Sequence, residues 1–268
     1  MKQHARTVSR TKILGGAGAL LAASLLATLA AKFASSDTMT RENQGMQGSV
    51  VRSCPTSMVL IPDGTFLMGS PEGDGFDEEH PQHAERLAAF CMDRTEVTVA
   101  EYRACTTCTP PGTEESCNWG VAGRESHPVN CVNWNQSDRF CRLRGAQLPN
   151  AAQWEYAARG TEGRTYPWGN EAPASQLCWN RYPEPRSTCP VGSFAPGVFG
   201  LADMAGNVRE WTNSAFSSAG GIPDNSRRFF RGGSWGAKNA VMVRGASRDW
   251  RALSYRRNDL GFRCARVL

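Results

Sequence analysis

Ten cysteines constrain the fold of this 268-residue chain more than any other feature of its sequence. None lies in the first 53 residues, and they are Cys54, Cys91, Cys105, Cys108, Cys117, Cys131, Cys141, Cys178, Cys189 and Cys264. An even number of cysteines in an exported chain indicates a disulfide framework. The spacing Cys105-x-x-Cys108 also occurs in zinc sites and redox pairs. Zinc would need a second close pair, and a redox motif a strand-to-helix junction, so we expect structural disulfides.

The first 36 residues predict export. They begin with four basic side chains, Lys2, Arg6, Arg10 and Lys12. An uncharged, mostly apolar run at 13–31 and small residues at 34–36 follow, which is the order of a secretory signal peptide. The alternative is an uncleaved membrane anchor, because the run approaches the ~20 residues that span a bilayer and Lys32 follows it. Either way we expect a periplasmic, extracellular or outward-facing protein, with no membrane contact except through such an anchor.

The charge of the remaining chain is balanced. The full chain has 30 basic and 25 acidic residues, and five basic residues but no acidic ones lie in residues 1–36. The rest therefore carries 25 of each sign, which gives no support for nucleic-acid binding. The signs are unevenly spread, with an arginine-rich end at 227–268 and an acidic excess at 37–226. Either the two regions pair inside one fold, or the arginines line a groove for an anionic or peptide ligand.

Composition and turn signals predict one loop-rich α+β domain over residues 54–268, preceded by a linker at 37–53. The 27 glycines and 15 prolines are spread throughout, so helices and strands should be short. We expect two strands around the Pro-Asp-Gly turn at 62–64. Helices are predicted from Thr98 to about Cys105, from Asn135 to Arg144 and from Asn150 to Arg159. Thr98 with Glu101, and Asn150 with Gln153, have the spacing of capping boxes.

Seven motifs occur in one order along the chain. They are MVLIP-x-G-x-F-x-MG at 58–69, DRTEVT at 93–98, HPVNCVNW at 127–134, QLP-x-A-x-QWEYAARG at 147–160, YPWGN at 166–170, GL-x-DM-x-GNV-x-EW at 200–211, and RGGSW at 231–235 with LGFRCAR at 260–266. In this order they resemble the formylglycine-generating, or sulfatase-modifying factor, family over nearly the whole of residues 54–268. The resemblance implies a disulfide-bridged, loop-rich α+β domain related to C-type lectins.

The resemblance also implies an activity that this chain lacks the residues for. Family enzymes oxidise a sulfatase cysteine to formylglycine with a copper ion held by two cysteines between the RGGSW and GFRCA motifs. Residues 236–263 contain no cysteine. The first copper position matches Ala237, and the second matches Ala240 or Met242. Copper(I) prefers soft thiolates, so we do not expect copper and leave open whether the chain is an enzyme.

A calcium site is implied at the motif that begins with Asp203. The family places its calcium oxygens at the positions of Asp203, Gly206, Val208 and Glu210. Carboxylates and turn carbonyls are the ligands that calcium prefers. The alternative is that Asp203 and Glu210 pair with arginines. A second family calcium site falls near residues 178–180, where the sequence diverges, so we expect one calcium ion.

Disulfide pairing follows partly from the resemblance. The family bridge at this position implies Cys141 with Cys264. Cys178 and Cys189 are expected to pair because they are close in sequence. Cys54 with Cys91 is a further candidate pair, and pairing within the set of Cys105, Cys108, Cys117 and Cys131 stays open. A further family bridge would fall at Ala158 and Gly245, and both of its halves are absent.

These observations favour a non-catalytic, exported module that is stabilised by calcium and binds a peptide, a glycan or a protein. We expect its groove to be lined by Ser234, Trp235, Arg231, Arg244 and Arg248. The alternative is a formylglycine-generating oxidase with a divergent metal site. An iron-dependent oxidase is less favoured, because such relatives carry an extra histidine-rich domain that this chain lacks. No histidine metal site is expected at His80-x-x-His83 or at His127, which precedes a proline.

Overall fold

The computed structural model of the protein describes residues 53–179, 187–217 and 221–268. The expected signal or anchor at 1–36 lies outside the described residues, as does the expected linker up to residue 52. Within the described ranges, no helix combines the length and apolar character needed to cross a membrane.

The described chain mixes short helices with small sheets. The helices are α1 (Val99–Arg103), α2 (Trp134–Leu143) and α3 (Ala151–Arg159). The strands are β1 (Met58–Ile61), β2 (Gly64–Met68), β3 (His83–Leu87), β4 (Phe90–Asp93), β5 (Arg209–Phe216), β6 (Asp224–Arg231), β7 (Arg248–Ala252), β8 (Leu260–Gly261) and β9 (Ala265–Val267). This is the loop-rich α+β architecture that the sequence predicted.

The strands form three sheets with long-range pairing. One sheet has the order β1-β4-β9, a second pairs β2 with β3, and the third has the order β7-β6-β5-β8. The strands on either side of the predicted Pro-Asp-Gly turn are both present, but they do not pair with each other. Instead β1 pairs with β4 and β2 pairs with β3, both antiparallel. The chain after Ile61 therefore leaves one sheet and enters another.

All three helices begin with a capping box, in which two side chains satisfy backbone N–H groups at the helix start. The pairs are Thr98 with Glu101, Asn133 with Gln136 and Asn150 with Gln153. The predicted starts of α1 and α3 are confirmed. The prediction for α2 began at Asn135, whereas the helix begins at Trp134 because Asn133 provides the cap.

Aromatic side chains fill the core between the helices and the sheets. Trp154 on α3 and Trp211 on β5 are both fully buried, as are Phe140 and Cys141 on α2. The Trp211 indole N–H donates to the Val132 carbonyl oxygen at 3.1 Å. Burying the polar end of each ring with a hydrogen-bond partner lets these large side chains contribute their full apolar area.

Five disulfides join all ten cysteines. They are Cys54–Cys91, Cys105–Cys108, Cys117–Cys131, Cys141–Cys264 and Cys178–Cys189. Cys141–Cys264, the bridge that the resemblance implied, links α2 to the residue before β9 across 123 residues of sequence. Cys105-x-x-Cys108 is also a disulfide, so its sulfurs are not available to a metal.

Removing the Cys141–Cys264 bridge should cost far more stability than removing the Cys105–Cys108 bridge. A cross-link restricts the unfolded chain more when it closes a longer loop. We expect Cys141→Ala/Cys264→Ala to lower the free energy of unfolding by about 4–5 kcal/mol, and Cys105→Ala/Cys108→Ala by about 2 kcal/mol. Guanidinium denaturation of the two double variants tests this order. Equal losses would contradict it.

Candidate functional site

The candidate site begins where β6 ends. Arg231 is the last residue of β6, and Gly232 and Gly233 follow with φ angles of 93° and 66°. A Cβ at Gly232 would lie 2.9 Å from the Trp154 ring, and one at Gly233 would lie 2.5 Å from the Met242 carbonyl oxygen. Both positions therefore require glycine, which explains the Gly-Gly pair of the RGGSW motif. The turn brings the chain after β6 against residue 242.

A cavity of about 280 Å³ opens beside this turn. Its wall is made by Phe76, Glu78, Arg209, Phe230, Arg231, Gly232, Gly233, Met242, Ser247, Arg248 and Asp249. The volume is near the lower end of the range for ligand pockets, roughly 300–1,000 Å³. The wall combines apolar side chains with groups of both charges, which is suited to a ligand that is itself part apolar and part polar.

Two arginines that were expected to line a groove are held in buried ion pairs. Arg231 is 1 % exposed and reaches the cavity wall, but its Nη2 lies 2.9 Å from Glu155 Oε2. Burial lowers the pKa of Arg231 to about 10, with Glu155 acting in the opposite direction, so the guanidinium keeps its charge at neutral pH. Arg244 donates to both carboxylate oxygens of Glu79 at 2.9 Å. Arg244 is not part of the cavity wall, which corrects the expectation.

The other three expected groove residues are divided between two places. Arg248 lines the cavity, and its Nε donates to the Glu78 carbonyl oxygen at 2.5 Å. Ser234 is fully buried, and its Oγ donates to Asp259 at 3.2 Å. Trp235 is half-buried and, like Ser234, does not line the cavity. Of the five expected residues, the cavity therefore gathers only two.

Arg209 is a cavity residue that sequence reasoning missed. Its Nη1 lies 3.1 Å from Asp259 Oδ2, and its guanidinium carbon lies 5.5 Å from the centre of the Phe230 ring. A signal was present, because neighbouring residues of a strand point to opposite faces. Since Glu210 was expected to be a calcium ligand, alternation along an extended segment places Arg209 on the opposite face. Phe76 gave no comparable signal, because it lies in an irregular loop.

The positions that match the copper-binding cysteines carry no thiol. Ala237 is fully buried in an apolar cluster with Tyr166 and Val243. Ala240 begins a short 3-10 turn, Ala240–Val243, from which Met242 reaches the cavity. All ten cysteines lie in the described residues, and none of them is free. No pair of thiolates is therefore available for copper(I).

No other cluster in the described ranges supplies a ready metal centre. The one group with suitable spacing there, Glu114 with Cys117 and Cys131, contains two sulfurs that are already bonded to each other. The Nδ1 of His127 lies 2.9 Å from Thr188 Oγ1. Burial, and then the charge of Arg124, lower the pKa of His127 to about 4, so the ring is neutral at pH 7.

The two implied calcium ligands that are carboxylates, Asp203 and Glu210, differ in their hydrogen-bond partners. Asp203 has a left-handed backbone with φ 58°, and its Oδ2 accepts a hydrogen bond from the Gly192 N–H at 2.6 Å. Glu210 is committed elsewhere, because Arg263 contacts both of its carboxylate oxygens at 2.7 and 2.8 Å. The Trp154 indole N–H adds a third contact to Glu210 at 2.8 Å. Of the two implied carboxylate ligands, Asp203 therefore accepts a backbone hydrogen bond and Glu210 is paired with an arginine.

Comparison with known proteins agrees with this architecture. Residues 44–268 match the sulfatase-modifying factor enzyme 1-like domain. The chain belongs to this family. It is 31 % identical to the formylglycine-generating enzyme of Streptomyces coelicolor over 77 % of this chain and 88 % of that protein. It is 29 % identical to the inactive C-alpha-formylglycine-generating enzyme 2 of Mus musculus, over 78 % of this chain and 85 % of that protein.

A solved structure shows the same fold. PvdO from Pseudomonas aeruginosa superposes with a TM-score of 0.68 and is 26 % identical, over 79 % of this chain and 94 % of that one. The sulfatase-modifying factor family thus includes relatives named as enzymes and a relative named inactive, at nearly equal identity. Overall similarity therefore does not decide activity, and the residues at the site must.

Replacing Arg263 should strongly destabilise the protein. Arg263→Met leaves the buried carboxylate of Glu210 without its counter-charge, which costs about 3–5 kcal/mol of unfolding free energy. The double variant Arg263→Met/Glu210→Gln should lose less than the single variant, because no charge is left unpaired. Arg266→Met on β9 is the matched control, since Arg266 is exposed and should change stability by less than about 0.5 kcal/mol. Urea denaturation measures all three variants, and a single-variant loss equal to that of the control would contradict the prediction.

Proposed function

We propose that the protein is a non-catalytic member of the sulfatase-modifying factor family that binds a polypeptide segment in the cavity beside the Gly232–Gly233 turn. One observation carries the proposal. The two positions that match the copper-binding cysteines are alanine or methionine, and every cysteine of the chain is in a disulfide. The family chemistry depends on thiolates at those positions. This chain therefore keeps the cavity beside the turn but lacks the copper ligands.

The lining of the cavity supports a polypeptide ligand. Phe76, Phe230 and Met242 provide apolar contact for a side chain. Arg209 and Arg248 accompany the acidic Glu78 and Asp249, so the wall has polar groups of both signs without a large excess of either. A peptide backbone offers both hydrogen-bond donors and acceptors to such a wall. A strongly anionic ligand would instead need an uncompensated cluster of basic groups.

Two further parts of the proposal concern location and calcium. We propose that the protein is exported, because five disulfides persist where the surroundings are oxidising. We also propose that one calcium ion, bound at the turn that contains Asp203, stabilises the domain. The partly free Asp203 carboxylate supports calcium there, but Glu210 does not act as a ligand in this proposal.

The absence of oxidase activity can be tested directly. The full chain, loaded with copper(I), should not convert the cysteine of a Cys-x-Pro-x-Arg peptide to an aldehyde in the presence of oxygen, because it cannot hold copper through two thiolates. Mass spectrometry of the peptide measures the product. The Streptomyces coelicolor formylglycine-generating enzyme is the positive control, and a copper-only reaction is the blank. Aldehyde above the blank would overturn the proposal in favour of an oxidase with a divergent site.

If peptides bind in the cavity, a substitution that fills the cavity should lower peptide affinity. Short random peptides displayed on phage should be enriched by the full chain. Peptides enriched in this way should bind Met242→Trp about tenfold or more weakly, because the larger side chain fills the cavity. Biolayer interferometry with the synthesised peptides measures the dissociation constants.

Leu143→Trp is the matched control for that experiment. Leu143 lies on α2, is 54 % exposed and does not line the cavity, so the same added ring should leave peptide affinity unchanged. If Met242→Trp binds the peptides as tightly as the wild type does, the proposed cavity is not the binding site.

A further inference from the structure

The Cys105–Cys108 disulfide is the most accessible of the five bridges. Both of its cysteines are half-buried, whereas each of the other four bridges contains at least one buried cysteine. Its cysteines are separated by only 3 positions in the sequence, so in the chain-entropy account this bridge contributes least to stability. Accessible disulfides exchange with other thiols, and buried ones are protected from them. The placement of this bridge therefore suits exchange better than structural support.

The chain around this disulfide is held in place without the sulfur atoms. Cys105 follows α1, and its backbone N–H donates to the Tyr102 carbonyl oxygen at 3.1 Å. The Tyr102 hydroxyl donates to the Thr109 carbonyl oxygen at 2.9 Å. The side-chain amide of Gln136, on α2, donates to the Pro110 carbonyl oxygen at 2.8 Å. Because these hydrogen bonds persist when the disulfide opens, the two thiols should stay close enough to close it again.

Two side chains are placed to stabilise a thiolate on Cys105. The Thr107 hydroxyl lies 3.9 Å from the Cys105 sulfur. The Nη2 of Arg139, on α2, donates to the Thr107 carbonyl oxygen at 3.4 Å, which brings a positive charge to the same turn. A hydroxyl donor and a nearby guanidinium both favour the charged form of a thiol. The pair follows a helix instead of preceding one, so these two groups take the place of the helix N-terminus that stabilises thiolates elsewhere.

A cavity of about 390 Å³ opens beside Cys105. Phe140 and Leu143, both on α2, give its wall apolar contact. Glu101 and Arg144 add one charge of each sign. No residue of this wall also lines the cavity beside the glycine turn, so the two cavities are distinct. A polypeptide whose cysteine is next to an apolar side chain matches this wall, because the side chain can be buried while the sulfur reaches Cys105.

We propose that the Cys105–Cys108 disulfide oxidises a pair of thiols in a polypeptide that docks in this second cavity. A thiolate of the polypeptide attacks the Cys105 sulfur and forms a mixed disulfide. Cys108 leaves as a thiolate and takes up the proton that the attacking thiol lost. The second thiolate of the polypeptide then attacks the polypeptide's own sulfur in the mixed disulfide, and Cys105 leaves and is protonated in the same way.

The exchange is balanced in electrons and protons. The polypeptide loses two electrons and two protons and gains a disulfide, and the protein gains two thiols. A low-molecular-weight disulfide, such as oxidised glutathione, re-forms the Cys105–Cys108 bridge by the reverse sequence of steps. The protein thus lacks the copper chemistry of its family but carries out thiol–disulfide exchange at a separate place. This proposal does not depend on peptide binding beside the glycine turn.

The alternative is a purely structural bridge, and glutathione buffers distinguish the two. The full chain is equilibrated under native conditions, alkylated and mapped by mass spectrometry. Cys105 and Cys108 should become reduced at a ratio of reduced glutathione squared to oxidised glutathione that is about 100-fold lower than the other four bridges require. If all five bridges are reduced together, the proposal is wrong.

Oxidation of a synthetic peptide with two cysteines on either side of a leucine measures the exchange itself. At equal concentrations, the protein should oxidise the reduced peptide about tenfold or more faster than oxidised glutathione does, as measured by mass spectrometry of the acid-quenched peptide. Cys105→Ser/Cys108→Ser should not raise oxidation above the rate without protein, and its melting temperature shows whether it is folded. A rate equal to that of the wild type would overturn the proposal.

Single variants test the order of the two steps. Cys108→Ser, which keeps the Cys105 thiol, should accumulate a mixed disulfide with the oxidised form of the same peptide, because no second thiol of the protein is present to release it. Cys105→Ser should accumulate about tenfold less at Cys108, which does not line the cavity. Non-reducing mass spectrometry measures both adducts. Equal trapping by the two variants would contradict the assignment of Cys105 as the attacked sulfur.

A reciprocal pair of variants tests the cavity. Leu143→Trp fills the cavity beside Cys105 and should slow oxidation of the peptide about tenfold, while reduction of the bridge by dithiothreitol stays unchanged. Met242→Trp fills the other cavity and should oxidise the peptide as fast as the wild type does. If Leu143→Trp is as fast as the wild type, the polypeptide does not dock there. Binding of phage-selected peptides by the double serine variant reports separately on the proposed function.

Discussion

The buried ion pair between Arg263 and Glu210 joins the C-terminal segment to the largest sheet. Arg263 comes from the link between β8 and β9, and Glu210 comes from β5 in the largest sheet. The remaining donors of Arg263 bind carbonyl oxygens just after β4 and in the loop before β5, including that of Ala202. Because both charges are fully buried, each depends on the other for its counter-charge. One guanidinium thereby fixes two sheets and the loop that carries Asp203.

The same pairing is repeated along the arginine-rich end of the chain. Arg231 is bound to Glu155 on α3, and Arg244 is bound to Glu79 after β2. These pairs join the basic C-terminal region to the acidic residues that precede it, so the charges of Arg231, Arg244 and Arg263 are used inside the fold. The cavity is left with a balanced wall in place of a basic one. That balance is the reason we propose a polypeptide ligand and not a simple anion.

Local features of the sequence predicted the helices and the family well, and they predicted the pairing of strands poorly. Capping boxes at Thr98 and Asn150 act over three residues, so the sequence contains the whole interaction. The order of motifs likewise identified the loop-rich α+β fold. The strands around residues 62–64 were found, but their partners were not. A strand's partner depends on contacts between distant segments, and the alternation of apolar residues in β1 and β2 does not say which edge each will meet.

By itself the sequence determined the family, the even set of cysteines and the loss of thiols at Ala237 and at Ala240 or Met242. These are properties of residue identity and order, and no contact is needed to read them. Only the tertiary structure decided which arginines are held in buried ion pairs, that Glu210 is paired with Arg263, and that the buried carboxylate of Glu96 has no hydrogen-bond partner. The physical reason is that the role of a buried charged side chain depends on the groups packed around it. In the interior, a partner far away in sequence decides whether a buried carboxylate has a counter-charge.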